Sequence, residues 1–221
     1  QNFNTIINYM KNILPKDSKG LEVGSLHGWF LDLASELYEC VGIEPLKEHV
    51  DTCNNHIVYK GFFPKDLPSN VKNLDFIIFN DVFEHIPNCN KTMKSCYDLL
   101  KHGGYLIINI PLSSGIFFKI ANLLKKFSMT EYYIRMWQFK FSSPHLYYFN
   151  KRNLKDLGEK HGFKFIHFGY LETLDKRNIE DRITTDTTVR KSRLKSIIIQ
   201  SGYPLLKLLS KDTGFIVFRK I

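Results

Sequence analysis

The sequence predicts an α/β fold: a doubly wound, mostly parallel sheet of seven strands with helices on both faces. Three observations carry that prediction. Apolar runs of strand length alternate with stretches of helical periodicity from residue 20 to residue 111. The connections between them are short, as right-handed crossovers in a parallel sheet require. One run, Leu74-Asp75-Phe76-Ile77-Ile78-Phe79-Asn80, is apolar almost throughout, as a strand covered on both faces must be.

The elements follow in order. Phe3, Ile6, Ile7, Met10, Ile13 and Leu14 recur every three or four residues, so residues 3–14 form an amphipathic helix. Pro15 and a polar turn end it, and it packs over the ligand side or an edge of the sheet. Leu21 and Val23 lead into Gly24 and Gly28, after which Phe30, Leu33, Ala34 and Leu37 keep helical spacing. This is a first strand (about 20–24), a tight turn and a helix (about 28–38). Glycine suits such a turn because it accepts positive φ and lets a ligand approach the backbone. The unpaired N–H groups that open the helix suit an anionic group such as a carboxylate. The second strand, residues 39–43, runs into Glu44, twenty residues after Gly24. In nucleotide-binding α/β folds a carboxylate there accepts hydrogen bonds from ribose hydroxyls. Leu26 breaks the dinucleotide pattern Gly-x-Gly-x-x-Gly, and no Gly-Lys-Ser/Thr follows.

A helix over 46–54 and a short third strand at 56–59 come next, and then the fourth strand, 74–80. Met93, Cys96, Leu99 and Leu100 give a helix over 89–100, ended by Gly103 and Gly104. Strand five is 105–110, closed by Pro111. Residues 112–149 leave the alternation: Phe117 to Phe127 suggest one helix, and Tyr132 to Phe141 a second. A helix over 151–161, strand six over 163–170, a polar loop over 171–188, a basic helical stretch over 189–210 and a last strand, 214–219, complete the chain. The organisation is one domain over 1–221. It has an N-terminal helix (1–17), a ligand-binding core (18–111), a helical insertion (112–149) and a C-terminal part (150–221) that finishes the sheet.

Composition bounds the function. The 221 residues suffice for one α/β core, and 43% hydrophobic with 24% charged residues is ordinary for a globular protein. No apolar run approaches the ~20 residues that span a bilayer. The first residues carry no charged-then-apolar leader pattern, and without an initial Met the true start is expected to be either missing or trimmed. Cys40, Cys53, Cys89 and Cys96 form no Cys-x-x-Cys and read as reduced thiols in a cytoplasmic protein. The net charge of +9 is uneven: residues 1–150 hold 15 Lys/Arg against 14 Asp/Glu, residues 151–221 hold 16 against 8. That excess suits an anionic partner, but Lys outnumbers Arg, and clustered Arg is the better mark of phosphate recognition.

Beyond the glycine turn, Asp81-Val82-Phe83-Glu84-His85-Ile86-Pro87-Asn88 follows strand four, and Leu99-Leu100-Lys101-His102-Gly103-Gly104-Tyr105-Leu106 leads into strand five. With Glu22, Gly24 and Gly28, these motifs resemble class I S-adenosylmethionine-dependent methyltransferases, whose first strand ends Asp/Glu-x-Gly-x-Gly-x-Gly; Leu26 departs from that pattern. The resemblance covers residues 18–170 and implies a Rossmann-like sheet whose seventh strand is antiparallel and slotted beside the fifth. It implies a cofactor site of Glu22, Gly24, Ser25, His27, Gly28, Glu44, Asn80, Asp81, Val82 and His85. Phe62 or Phe63 lies against the adenine, with Phe62 the candidate. It further implies that the insertion forms a lid over substrate, ending in the His145…Phe149 segment.

Methyl transfer from a sulfonium is an in-line displacement that asks the protein for alignment and a dry site. A hydroxyl acceptor also calls for a general base, and the candidates are His85 and His145. No Gly-x-Ser-x-Gly supports hydrolysis. No Asp/Glu/His cluster has metal-ligand spacing, Asp81 and Glu84 included, so no metal is expected. The first reading is methylation of an O or N atom of a small, anionic acceptor of sugar or sugar-phosphate type. An RNA methyltransferase is the second, weakened by the lack of an RNA-binding module and of aromatics among the basic residues. A methyltransferase-fold binding protein without activity is the third, and Leu26 is its support.

Overall fold

The protein is described from a computed structural model, which covers residues 2–139, 141–172 and 211–221. The expected polar loop and the basic helical stretch fall almost wholly within 173–210 and lie outside the described residues.

Seven strands form one sheet: β1 (Lys19–Val23), β2 (Glu39–Glu44), β3 (Val58–Lys60), β4 (Leu74–Asn80), β5 (Leu100–Pro111), β6 (Phe163–Leu171) and β7 (Thr213–Lys220). Their order is β3-β2-β1-β4-β5-β7-β6. β1 to β5 run parallel, and β7 lies antiparallel between β5 and β6, as the sequence resemblance implies. The helices are α1 (Asn2–Met10), α2 (Trp29–Ala34), α3 (Lys47–Val50), α4 (Cys89–Leu99), α5 (Ile116–Lys126), α6 (Thr130–Met136) and α7 (Lys151–Lys160).

β4 sits at the centre and shows why its run is apolar. Alternate side chains enter opposite cores: Ile77 and Phe79 join Met93, Cys96 and Leu154 from α4 and α7. Phe76 and Ile78 join Ile6, Ile7 and Met10 of α1 and Phe30 and Ala34 of α2. Helices therefore cover both faces. α1 was expected over the ligand side or an edge; it packs on the face that holds Phe76 and Ile78 and reaches the edge strand β6, where Tyr9 stacks 4.3 Å from the His167 ring.

Local geometry corrects several expected boundaries. α2 stops at Ala34 and α3 at Val50, because turn-type hydrogen bonds replace the helical ladder beyond them. β5 begins at Leu100, five residues earlier than expected. Leu100 pairs with Leu74, and Gly103 at φ 79° absorbs the irregularity before Tyr105 meets Phe76. The second insertion helix ends at Met136, short of the Phe141 that its aromatic spacing suggested.

Strand order reverses between β1 and β4. A crevice opens at such a switch point, outside the carboxyl ends of the strands, and ligands bind there. The glycine turn, Glu44 and the segment from Asn80 to His85 all lie at that end.

Candidate active site

The turn after β1 is held by a carboxylate. Gly24 and Gly28 take φ of 74° and 77°, and Leu26 between them takes 48°. A left-handed leucine is strained. Glu44 compensates: its Oε2 accepts from the Leu26 N–H and its Oε1 from the Leu46 N–H, each at 3.1 Å. His49 Nδ1 lies 3.3 Å from Oε1. Glu44 is buried, and its first task is to fix the turn, a role that sequence reasoning missed. Oε2 keeps a second lone pair for a hydroxyl donor, while the second on Oε1 faces His49. The Leu26 side chain is exposed, so it turns away from the protein interior.

Glycine is required at position 24 on two counts. Its φ is positive, and a Cβ there would lie 2.5 Å from Val82 Cγ2. The turn thus packs directly on the second residue past the end of β4. Gly42 makes similar room for Ser25, whose Oγ is buried without a partner.

Beneath the turn is a group of buried polar atoms. Asn80 Nδ2 donates to Glu22 Oε1 at 2.9 Å, while Glu22 Oε2 and Asn80 Oδ1 have no partner. Burial pushes the Glu22 carboxyl up to about 8, against the opposing pull of Asn80. Buried polar atoms without partners are costly, and the set Glu22, Ser25 and Asn80 fits a ligand with an ammonium group, whose charge would favour the Glu22 carboxylate over its protonated form. Asp81 takes φ 54° beside it, and Asn109 Nδ2 reaches its Oδ2 at 3.5 Å. Surrounding protein raises the Asp81 carboxyl toward about 6, a rise tempered by the solvent open to this residue.

The remaining expected contacts are at the rim. His27 Nδ1 lies 3.0 Å from Thr52 Oγ1, and its ring lies 4.8 Å from that of His49. Phe62 is 68% exposed just past β3, whereas Phe63 packs edge-on against Phe79 in the core. Phe62 is therefore the one free to meet a ligand.

A second constellation was not legible in the sequence. The 3₁₀ turn Phe83–His85 and the segment after α6 bring Glu84, His85 and His145 together, with one ligand atom from each within 4.8 Å of the others. The expectation from the sequence concerned spacing along the chain, and this grouping arises only from the fold. Spacing along the chain cannot reveal a histidine sixty residues away. Burial and the His85 ring lower His145 to about 4, so it stays neutral at pH 7 and is a weak proton acceptor. This counts against His145 as a general base.

Parallel strands in this order, with a glycine turn and an acidic residue at the switch point, define a nucleotide-type cofactor fold. The chain belongs to the methyltransferase-domain family, whose model matches residues 3–167. Family and fold together make it a class I S-adenosylmethionine-dependent methyltransferase, as the sequence motifs imply. Among curated proteins, ubiquinone biosynthesis O-methyltransferase of Glaesserella parasuis is 27% identical over 79 residues, 36% of this chain. The match spans about a third of that relative's length (34%). Among solved structures, a SAM-dependent methyltransferase from Archaeoglobus fulgidus superposes with a TM-score of 0.62 at 18% identity, covering 99% of this chain and 94% of the other. A phosphoethanolamine N-methyltransferase of Haemonchus contortus, bound to S-adenosylhomocysteine, gives 0.62 at 16% identity, covering 98% and 52%. These structures share the fold.

Proposed function

We propose that the protein transfers the methyl group of S-adenosylmethionine to an O or N atom of a small molecule in the cytoplasm. The observation that carries this reading is the set of buried, unpartnered polar atoms Glu22 Oε2, Ser25 Oγ and Asn80 Oδ1 under a turn built on Gly24 and Gly28. Bound S-adenosylmethionine supplies an activated methyl on sulfur. In this reading Glu22 and Asn80 receive its ammonium group, and the backbone from Gly24 to Gly28, with Ser25 and His27, lies along its amino-acid end. Glu44 accepts from the ribose, Phe62 covers the adenine, Asp81 and Val82 lie along the cofactor, and His85 points toward the acceptor. α5 and α6 act as the lid. Support for that role is the return of the chain after α6 onto Glu84 through two backbone hydrogen bonds, which places His145 beside His85.

The acceptor is a small molecule of sugar or sugar-phosphate type, favoured by the aromatic insertion and by the basic final third. Four free thiols support a reducing compartment.

Calorimetric titration with S-adenosylmethionine and S-adenosylhomocysteine tests the reading. Binding of both at micromolar Kd is expected, reduced at least about tenfold in Gly24→Ala, which loses the positive φ and meets Val82. A folded protein that binds neither would leave the inactive binding-protein reading in its place.

A further inference from the structure

Glu84, His85 and His145 face one another without a hydrogen bond between them. Glu84 is 1% exposed, and neither of its carboxylate oxygens has a hydrogen-bond partner. His85 Nδ1 lies 2.9 Å from the Pro144 carbonyl. A carbonyl only accepts, so Nδ1 carries the proton and Nε2 a lone pair. The Tyr148 hydroxyl donates to the Met136 carbonyl at 2.7 Å, so toward His145 Nδ1, 3.1 Å away, it acts as an acceptor. His145 therefore also holds its proton on Nδ1, and its Nε2 lone pair lies 3.9 Å from Glu84 Oε1. Asp81 adds negative charge beside Glu84.

We propose that Glu84, His85 and His145 bind one divalent transition-metal ion, zinc in the first instance. The donor set, two imidazole nitrogens and one carboxylate, is one that zinc prefers. The partners on each Nδ1 match the usual support of a metal-bound histidine, in which the other ring N–H is held by an oxygen acceptor. Zinc bonds of about 2.0–2.1 Å put tetrahedral ligand atoms about 3.4 Å apart. The present spread, within 4.8 Å, would have to contract toward that distance when an ion binds.

A single proton shared by Glu84 and His145 is the competing account. It links one pair and leaves His85 out, whereas an ion engages all three groups that the fold brings within 4.8 Å.

Backbone contacts hold the two halves of the site in register. The His145 N–H donates to the Trp137 carbonyl at 3.1 Å. The Leu146 and Tyr147 N–H groups donate to the Glu84 carbonyl at 2.9 and 3.2 Å. Three protein ligands leave a coordination position open for a hydroxyl oxygen of the acceptor. That role rests on the methyltransferase reading; the ion site itself does not.

The test uses the whole chain, stripped with a chelator and then dialysed. Zinc is titrated by calorimetry and cobalt(II) by visible absorption, and S-adenosylhomocysteine binding is measured on the same metal-free sample. The expected result is one ion per chain, at micromolar Kd or tighter, with ligand-field bands for cobalt. Glu84→Gln and His85→Gln should each weaken the ion at least tenfold. His161→Gln, whose ring only meets Asn90 at the surface, should match the wild type. Thermal melts establish that each variant is folded, and His145→Gln replaces whichever is not. No binding by the wild type, or binding unchanged in both site variants, would overturn the proposal. Loss of S-adenosylhomocysteine binding with zinc binding intact would count against the methyltransferase reading alone.

Discussion

At the scale of single residues, Glu22 makes a prediction with a definite sign. Its folded pKa is about 8 against an ordinary 4.5. Between those values the folded protein keeps a proton that the unfolded chain releases. Stability therefore falls as pH rises through that window and levels off above it. Melting temperatures from pH 5 to pH 9 should decline less in Glu22→Gln than in the wild type. Equal slopes would mean that water reaches the Glu22 carboxyl. Glu22 was legible in the sequence because it belongs to a short local motif, as Gly24 and Gly28 do. Glu44 was half legible: its place after β2 was plain, but not its bond to the Leu26 N–H. That bond depends on the strained leucine turning its amide inward, which no residue pattern announces. His145 is the hardest case, since its partner Glu84 is reached only when the whole insertion folds back.

Among the elements, strands were read more surely than helices. β4 matches its expected limits because a continuous apolar run has few other solutions. α2 and α3 are shorter than their periodicity allows, since apolar residues continue through the turns that follow. The start of α5 shows what local reading cannot find. Asp212, far along the chain, is buried, and its Oδ1 accepts from the Phe117 N–H at 2.7 Å. Gly115 leaves room for it: a Cβ there would lie 2.3 Å from that oxygen. Asp212 thus serves α5 as an N-terminal cap from outside the helix. Asp212→Ala should cost about 1–3 kcal/mol in urea unfolding, and Asp212→Asn, which keeps an oxygen acceptor, less. An unchanged midpoint in Asp212→Ala would show that water takes over the cap.

At the scale of the whole molecule, alternation and short loops were enough to predict a parallel sheet with two covered faces. They did not order the strands; the antiparallel seventh strand came from the resemblance, and pairing of β7 with both β5 and β6 bears it out. That position matters as the chain leaves the ribosome. Every candidate site residue has emerged by residue 145, yet β5 and β6 share no edge until residues 213–220 arrive between them. Until then β5 presents a bare, apolar border to the crowded cell, a template for the wrong neighbour. Synthesis is thus a race between the last strand and misassembly, and a chain halted at Asp212 would carry all of its proposed chemistry without the seam that closes the sheet.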